Sequence, residues 1–194
     1  MPPRRARVGI LISGRGSNMK ALIEASRAAD CPYEVALVVS NNPDALGLED
    51  AAAAGIATFA QSHRGLPRED FDALMDGALR AARVEWVALA GYMRLLSPGF
   101  IGGWRGRIVN IHPSLLPAYK GLDTHARALA AGERVHGCTV HIVTPELDDG
   151  PIVAQAEVPV LDGDTPATLA DRVLIEEHRL YPEALSALIL KADG

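Results

Sequence analysis

Val8-Gly9-Ile10-Leu11-Ile12-Ser13-Gly14-Arg15-Gly16-Ser17-Asn18 carries a continuous apolar run into a glycine-rich turn. An unbroken run of that length reads as a strand buried on both faces, the usual state of a strand in a parallel sheet. Met19, Leu22 and Ile23 follow at helical spacing, so a helix over about 18–29 starts directly after the turn, with Ser17 placed to cap it. The unit then repeats. Val35 to Val39 forms a second strand, closed by Ser40-Asn41-Asn42-Pro43-Asp44, and a short helix through Leu48 and Ala53 stops at Gly55, a residue suited to a left-handed cap. Ile56 to Phe59 reads as a third strand. Pro67 opens a helix with Glu69, Asp70 and Asp72 in its first turns, where the helix dipole favours them, and Val84 to Ala90 is a fourth strand. Strand–helix alternation of this kind predicts a doubly wound, mostly parallel α/β sheet.

The second half breaks the rhythm. A strand over Ile108 to Ile111 runs into the proline-rich segment His112-Pro113-Ser114-Leu115-Leu116-Pro117, and a small helix covers Thr124 to Ala131. Extended runs at Cys138 to Val143 and Pro151 to Val160 flank the turn Asp148-Asp149-Gly150, which predicts an antiparallel edge. Asp164-Thr165-Pro166 starts a long helix that Pro182 is expected to kink or restart. No repeat or linker divides the chain, so one α/β domain over 1–194 is expected.

Composition narrows the function. The 194 residues are 48% hydrophobic and 22% charged, enough apolar content to bury a core, and the net charge of −5 repels a phosphate backbone, which argues against nucleic acid. Cys31 and Cys138 stand far apart without a Cys-x-x-Cys pair, which fits a reducing compartment. The basic start Met1-Pro2-Pro3-Arg4-Arg5-Ala6-Arg7 precedes an apolar run too short for export, and no stretch approaches a membrane span. A soluble, cytoplasmic chain is expected, with no membrane partner.

At the strand-to-helix junction, Ser13-Gly14-Arg15-Gly16-Ser17-Asn18 lets backbone N–H groups approach an anion at a helix N-terminus. A dinucleotide fingerprint would need glycine at Met19 and a carboxylate at Ser40-Asn41, and a Walker loop would need Gly-Lys-Ser/Thr. A single phosphate on a small molecule remains, beside the plainer alternative of a tight turn. Asn110 and His112 share one face of their strand, at its C-terminal end, where open α/β sheets place their sites. An imidazole there can act as a general acid and an amide can hold an oxyanion. A hydrogen-bonded core histidine beside a capping asparagine fits these two residues equally well. Asp148 sits in an acidic turn that can bring a carboxylate against His112 and raise the imidazole pKa, although taken alone it is an ordinary turn aspartate. Ser114 lies between prolines without a Gly-x-Ser-x-Gly elbow, so a serine hydrolase is disfavoured. His136 and His141 differ in strand parity and the cysteines are isolated, so no metal site is expected. Glu177 falls on the apolar stripe of the last helix, where it either pairs with a basic neighbour or meets a substrate amine.

Taken together, Gly14-Arg15-Gly16-Ser17-Asn18, Ala90-Gly91-Tyr92-Met93-Arg94-Leu95-Leu96-Ser97, Asn110-Ile111-His112-Pro113-Ser114-Leu115-Leu116-Pro117 and His136-Gly137 through Glu146-Leu147-Asp148 resemble the phosphoribosylglycinamide formyltransferase family. These are folate-dependent enzymes of purine synthesis. The resemblance covers nearly the whole chain in order and spacing, and its Asn-x-His-Pro segment is shared by a wider formyltransferase group. It implies the formyltransferase fold, with a Rossmann-like phosphate-binding half at 1–100 and a catalytic and folate-binding half at 101–194. It implies formyl transfer from 10-formyltetrahydrofolate to the amine of glycinamide ribonucleotide, without metal, by a monomer or homodimer. Gly16, Ser17 and Asn18 would hold the ribonucleotide phosphate and Glu177 would contact the same substrate. Arg68, Met93, Arg94, Leu95, Leu96 and Asn110 would contact the folate. Asn110 and His112 would supply the catalytic amide and general acid, with Asp148 sustaining the imidazolium. Two positions depart from the pattern: Asp123 stands where some members carry histidine, and Asp149 replaces a glycine. Three rivals use the same scaffold. A formyl folate hydrolase generally carries an extra N-terminal domain and a methionyl-tRNA formyltransferase an extra C-terminal one; a catalytically silent folate or nucleotide sensor is the third.

Overall fold

β1 (Ala6–Ile12) is buried along nearly its whole length, as its sequence demands, and lies inside the sheet between two parallel neighbours. A computed structural model describes residues 4–194; Met1-Pro2-Pro3, the start of the basic N-terminal segment, lie outside the described residues. The remaining elements are α1 (Ser17–Ala25), β2 (Tyr33–Ser40), α2 (Gly47–Ala53), β3 (Thr58–Ala60), α3 (Arg68–Ala81), β4 (Trp86–Leu89), α4 (Pro98–Gly103), β5 (Ile108–His112), α5 (Thr124–Ala130), β6 (Val135–Ile142), β7 (Ile152–Pro159) and α6 (Pro166–Asp193). They build one seven-stranded sheet in the order β3-β2-β1-β4-β5-β6-β7. β1 to β5 run parallel, while β6 pairs antiparallel with both β5 and β7.

The strand period of two divides the core between the sheet's faces. Ile10 and Ile12 of β1 pack with Met19 and Leu22 of α1 and with Leu169, Val173 and Leu185 of α6. Leu11 points the other way, into a cluster with Phe71, Met75 and Leu79 of α3, Phe100 of α4 and Trp104 at the end of α4. Among the described residues no helix is long and apolar enough to cross a membrane.

Five local expectations change. Gly16, not Ser17, is the N-cap of α1: its backbone is left-handed at φ 67°, which glycine adopts without steric cost, and Ser17 becomes the first helical residue. α1 also ends at Ala25, short of 29. α4 was not expected, although Ser97-Pro98 is a helix start; the Phe100 N–H donates to the Ser97 hydroxyl at 3.2 Å. α6 continues through Pro182 as one helix, with no restart. Asp72 is not on the solvent side of α3. It is 2% exposed, and its Oδ2 accepts the Ser97 N–H at 2.6 Å, so it anchors the start of α4 rather than complementing a dipole.

The β6–β7 pairing depends on a residue without a side chain. A Cβ on Gly137 would run into the Ala156 carbonyl oxygen, with Leu115 Cδ2 only 2.8 Å away. Gly137→Ala is expected to cost about 1–3 kcal/mol through overpacking, read as a lowered thermal midpoint. Gly77→Ala is the control: it lies inside α3 with nothing within 4 Å of its Cβ position, so it should be neutral or mildly stabilising.

Candidate functional site

In an open parallel sheet, loops from neighbouring strands diverge where the strand order reverses, and a crevice opens between them. Here that point lies between β1 and β4. The loops leaving their C-terminal ends enclose a cavity of about 300 Å³ lined by Ser13 to Asn18, Ala90, Gly91 and Met93. The first N–H groups of a helix have no intrahelical acceptor, and Gly16 adds no side-chain cap to α1, so these donors face the cavity's glycine wall. Gly16, Ser17, Asn18 and Met93 are thus brought together around one cavity, with the α1 N-terminus, a place suited to an anion, on one side of it.

Asn18 also reaches Glu177. Its Nδ2 donates to Glu177 Oε2 at 3.4 Å, while its Oδ1 is buried without a partner among the described residues. Glu177 is 7% exposed and faces this neutral amide, not the basic neighbour considered above. Burial pushes its carboxyl up to about 7, and the Asn18 bond opposes that only partly.

One strand beyond β4, Asn110 and His112 project from the same face of β5. The antiparallel register sets His141 opposite Asn110 and Thr139 opposite His112. His112 is 6% exposed, and its Nε2 lies 2.9 Å from the Tyr119 carbonyl oxygen. A carbonyl only accepts, so Nε2 carries a proton. Its Nδ1 stands 3.5 Å from Asp148 Oδ2. A carboxylate only accepts, so Asp148 is placed to take a hydrogen bond from that nitrogen whenever it carries a proton. Asp148 is held in place by the Gly121 N–H, which donates to Oδ2 at 2.8 Å. The pair's side chains are each 8% exposed, so solvent screens their attraction weakly.

His141 completes the cluster. Its Nδ1–H donates to the Ile142 carbonyl at 3.1 Å, which leaves Nε2 as the acceptor for Asn110 Nδ2 at 3.3 Å. Burial lowers its pKa and keeps the ring neutral, outweighing the Ile142 bond and Asp148, whose Oδ1 is 3.9 Å away. This second histidine fixes the Asn110 amide with one N–H still free. His136, by contrast, packs on His125 with ring nitrogens 3.2 Å apart, so the two β6 histidines have separate partners. Among the described residues no group of three His, Cys, Asp or Glu side chains is placed to hold a metal ion.

The strip after β4 is split. Met93 and Leu95 are 71% and 56% exposed, whereas Leu96 is buried in the core beside α3 and α4. The Arg94 guanidinium lies 5.2 Å over the Phe71 ring, and Arg68 is exposed at the first position of α3. Tyr119, Asp123 and Asp148 all adopt left-handed backbones, φ 55°, 56° and 50°, a cost of the kind that gathers around functional sites. The two departures from the family pattern stay outside the cluster. Asp123 caps α5 at an exposed position, and Asp149 pairs with Lys120 across the two loops. Tyr119, Gly121 and His141 were absent from the sequence-based site. The first two act through backbone atoms, which leave no residue signature, and the third needs the β5–β6 register.

Residues 6–185 match the formyl transferase family. The chain is 46% identical over 186 residues to the phosphoribosylglycinamide formyltransferase of Escherichia coli, covering 95% of this chain and 86% of that protein. It is 50% identical over 187 residues to the trifunctional purine biosynthetic protein adenosine-3 of Drosophila pseudoobscura pseudoobscura; that match takes in 95% of the chain, which spans 14% of the longer protein's length. The crystal structure of phosphoribosylglycinamide formyltransferase from Brucella melitensis superposes with a TM-score of 0.92 at 53% identity, covering 96% of each chain.

Proposed function

The chain belongs to the formyl transferase family, and from that premise we propose that it moves a formyl group from 10-formyltetrahydrofolate to the amine of glycinamide ribonucleotide. The observation that carries this reading is the 3.5 Å approach of Asp148 to His112 at the C-terminal end of β5, one strand from the cavity at the glycine loop. Gly16, Ser17 and Asn18 take the ribonucleotide phosphate. The apolar faces of Met93 and Leu95, exposed beside that cavity, suit the flat ring system of a folate.

The overall reaction joins the substrate nitrogen to the formyl carbon, breaks the bond from that carbon to the folate nitrogen, and carries one proton from the first nitrogen to the second. His112 and Asn110 act on the oxygen of the transferred group. The cationic ring, its charge balanced by Asp148, and the free Asn110 N–H meet the negative charge that grows there; such donors each contribute about 3–4 kcal/mol. His112 then releases a proton as general acid, with Asp148 holding the ring in place throughout. Glu177 faces the substrate end of α1 and accepts from the ribonucleotide. The partners are small molecules, and a cytoplasmic location fits their chemistry.

The purified chain mixed with 10-formyltetrahydrofolate, with and without glycinamide ribonucleotide, tests this by folate absorbance. Loss of the formyl group should require the ribonucleotide. Release at a comparable rate without an amine would instead establish a hydrolase. A second test separates the subsites. Ser17→Ala and Asn18→Ala should raise the KM for ribonucleotide roughly tenfold or more, as expected for hydrogen bonds to a charged group, with little effect on the folate KM. The opposite ranking would overturn the loop assignment.

A further inference from the structure

Ser13 lines the glycine-loop cavity, and its side chain also reaches the strip after β4. It is the first residue after β1, half-buried, and the start of the glycine loop. Its hydroxyl oxygen lies 2.7 Å from Asn41 Oδ1 and 2.8 Å from the Met93 amide nitrogen. An amide oxygen only accepts and a backbone N–H only donates, so both directions are fixed: Ser13 gives its one proton to Asn41 and receives the Met93 N–H on a lone pair.

The two sides of this junction differ in how firmly they are held. Asn41 is 5% exposed, with its amide nitrogen 3.2 Å from His63 Nδ1, and the Gly14 carbonyl accepts the Gly47 N–H at 3.0 Å. The loop side is therefore anchored on the α2 start and the end of β2. The Met93 side chain is 71% exposed and contributes little to its own placement. The side chains of Tyr92, on Met75, and Arg94, over Phe71, hold the strip to α3, and the next backbone anchor is the Ser97 N–H on Asp72. Between Gly91 and Leu96, the Ser13 hydroxyl is the backbone's tie to the phosphate loop.

We propose that Ser13 is a positioning residue that couples the two substrate subsites, so that filling the glycine loop sets the strip on which the folate lies. The inference rests on the function proposed above. Coupling between sites is reciprocal, so each ligand must tighten the other by the same factor. One neutral hydrogen bond carries a factor of about five.

Glycinamide ribonucleotide and tetrahydrofolate, which lacks the formyl group, bind together without turnover and serve as the probe pair. Titration of the full chain with each, alone and with the other saturating, should give about fivefold tighter binding in the ternary state. Ser13→Ala should bring the factor to about one whatever it does to the affinity for each ligand alone, while Ser13→Thr, which keeps the hydroxyl, should retain it. A Ser13→Ala chain with the factor unchanged overturns the proposal, as does a wild-type chain with no factor, whatever the variant does. Formyl transfer without coupling sinks this inference alone. Coupling without transfer sinks the proposed function alone.

Discussion

His112→Ala lowers formyl transfer at least about a hundredfold while ligand affinities change little. The substitution removes, at the C-terminal end of β5, a ring whose Nε2–H donates to the Tyr119 carbonyl and whose Nδ1 faces the Asp148 carboxylate. General acid catalysis alone accounts for about a hundred- to ten-thousand-fold, and loss of an oxyanion donor adds in the same direction. Asp148 keeps its bond from the Gly121 N–H in the variant, so the acidic loop stays in place and the loss is chemical. Steady-state kcat beside ligand titrations separates the two effects. A silent ligand sensor on this scaffold would show no change in function, and unchanged turnover in His112→Ala would decide for it.

Glu177→Gln makes the protein more stable and a poorer binder of ribonucleotide. Burial raises the Glu177 carboxyl from its ordinary 4.5 to about 7, so the folded state holds that proton more tightly than the unfolded chain does. Stability from this group is therefore fully present below about pH 4.5 and is lost as pH rises through 7. The shift corresponds to about 3 kcal/mol carried as a cost in the alkaline range. A glutamine has no charge to bury, and its amide offers an N–H to the unpartnered Asn18 Oδ1. Denaturant unfolding at pH 8 should show a gain of up to about 3 kcal/mol, shrinking to near zero at pH 4.5. Ribonucleotide KM should rise in the same variant, the trade expected where a site is held in a strained state. A variant less stable than wild type at pH 8 would contradict the assignment.

The first half of the fold was legible because each buried strand is written as an apolar run closed by glycine or proline. β1, β2 and β4 fall within the stretches read from Val8, Val35 and Val84 or extend them by one or two residues. α4 was missed because its six residues include Gly99, Gly102 and Gly103, which hide the helical signal behind a correct Ser97-Pro98 start. Pro182 was overestimated as a breaker. It sits on a helix whose buried stripe, Val173, Leu180, Tyr181, Leu185 and Ile189, is packed on the sheet along several turns, and that packing outweighs a missing N–H. At the site, Asn110 and His112 were readable from strand parity. The neutral His141 that orients Asn110 was not, since cross-strand register is set by tertiary pairing.

α6 places Glu177 and Tyr181 one turn apart on a single buried face. The Tyr181 hydroxyl lies 2.8 Å from the Leu89 carbonyl and 3.0 Å from that of Val109, the last residue of β4 and the second of β5. One rigid rod thus grips the seam between two central strands and, about one helical turn further along, presents an acid to the Asn18 amide beside the glycine loop. Any change that tilts the rod alters both grips at once, so a substitution in α6 that draws Glu177 away from Asn18 also loosens the seam between β4 and β5.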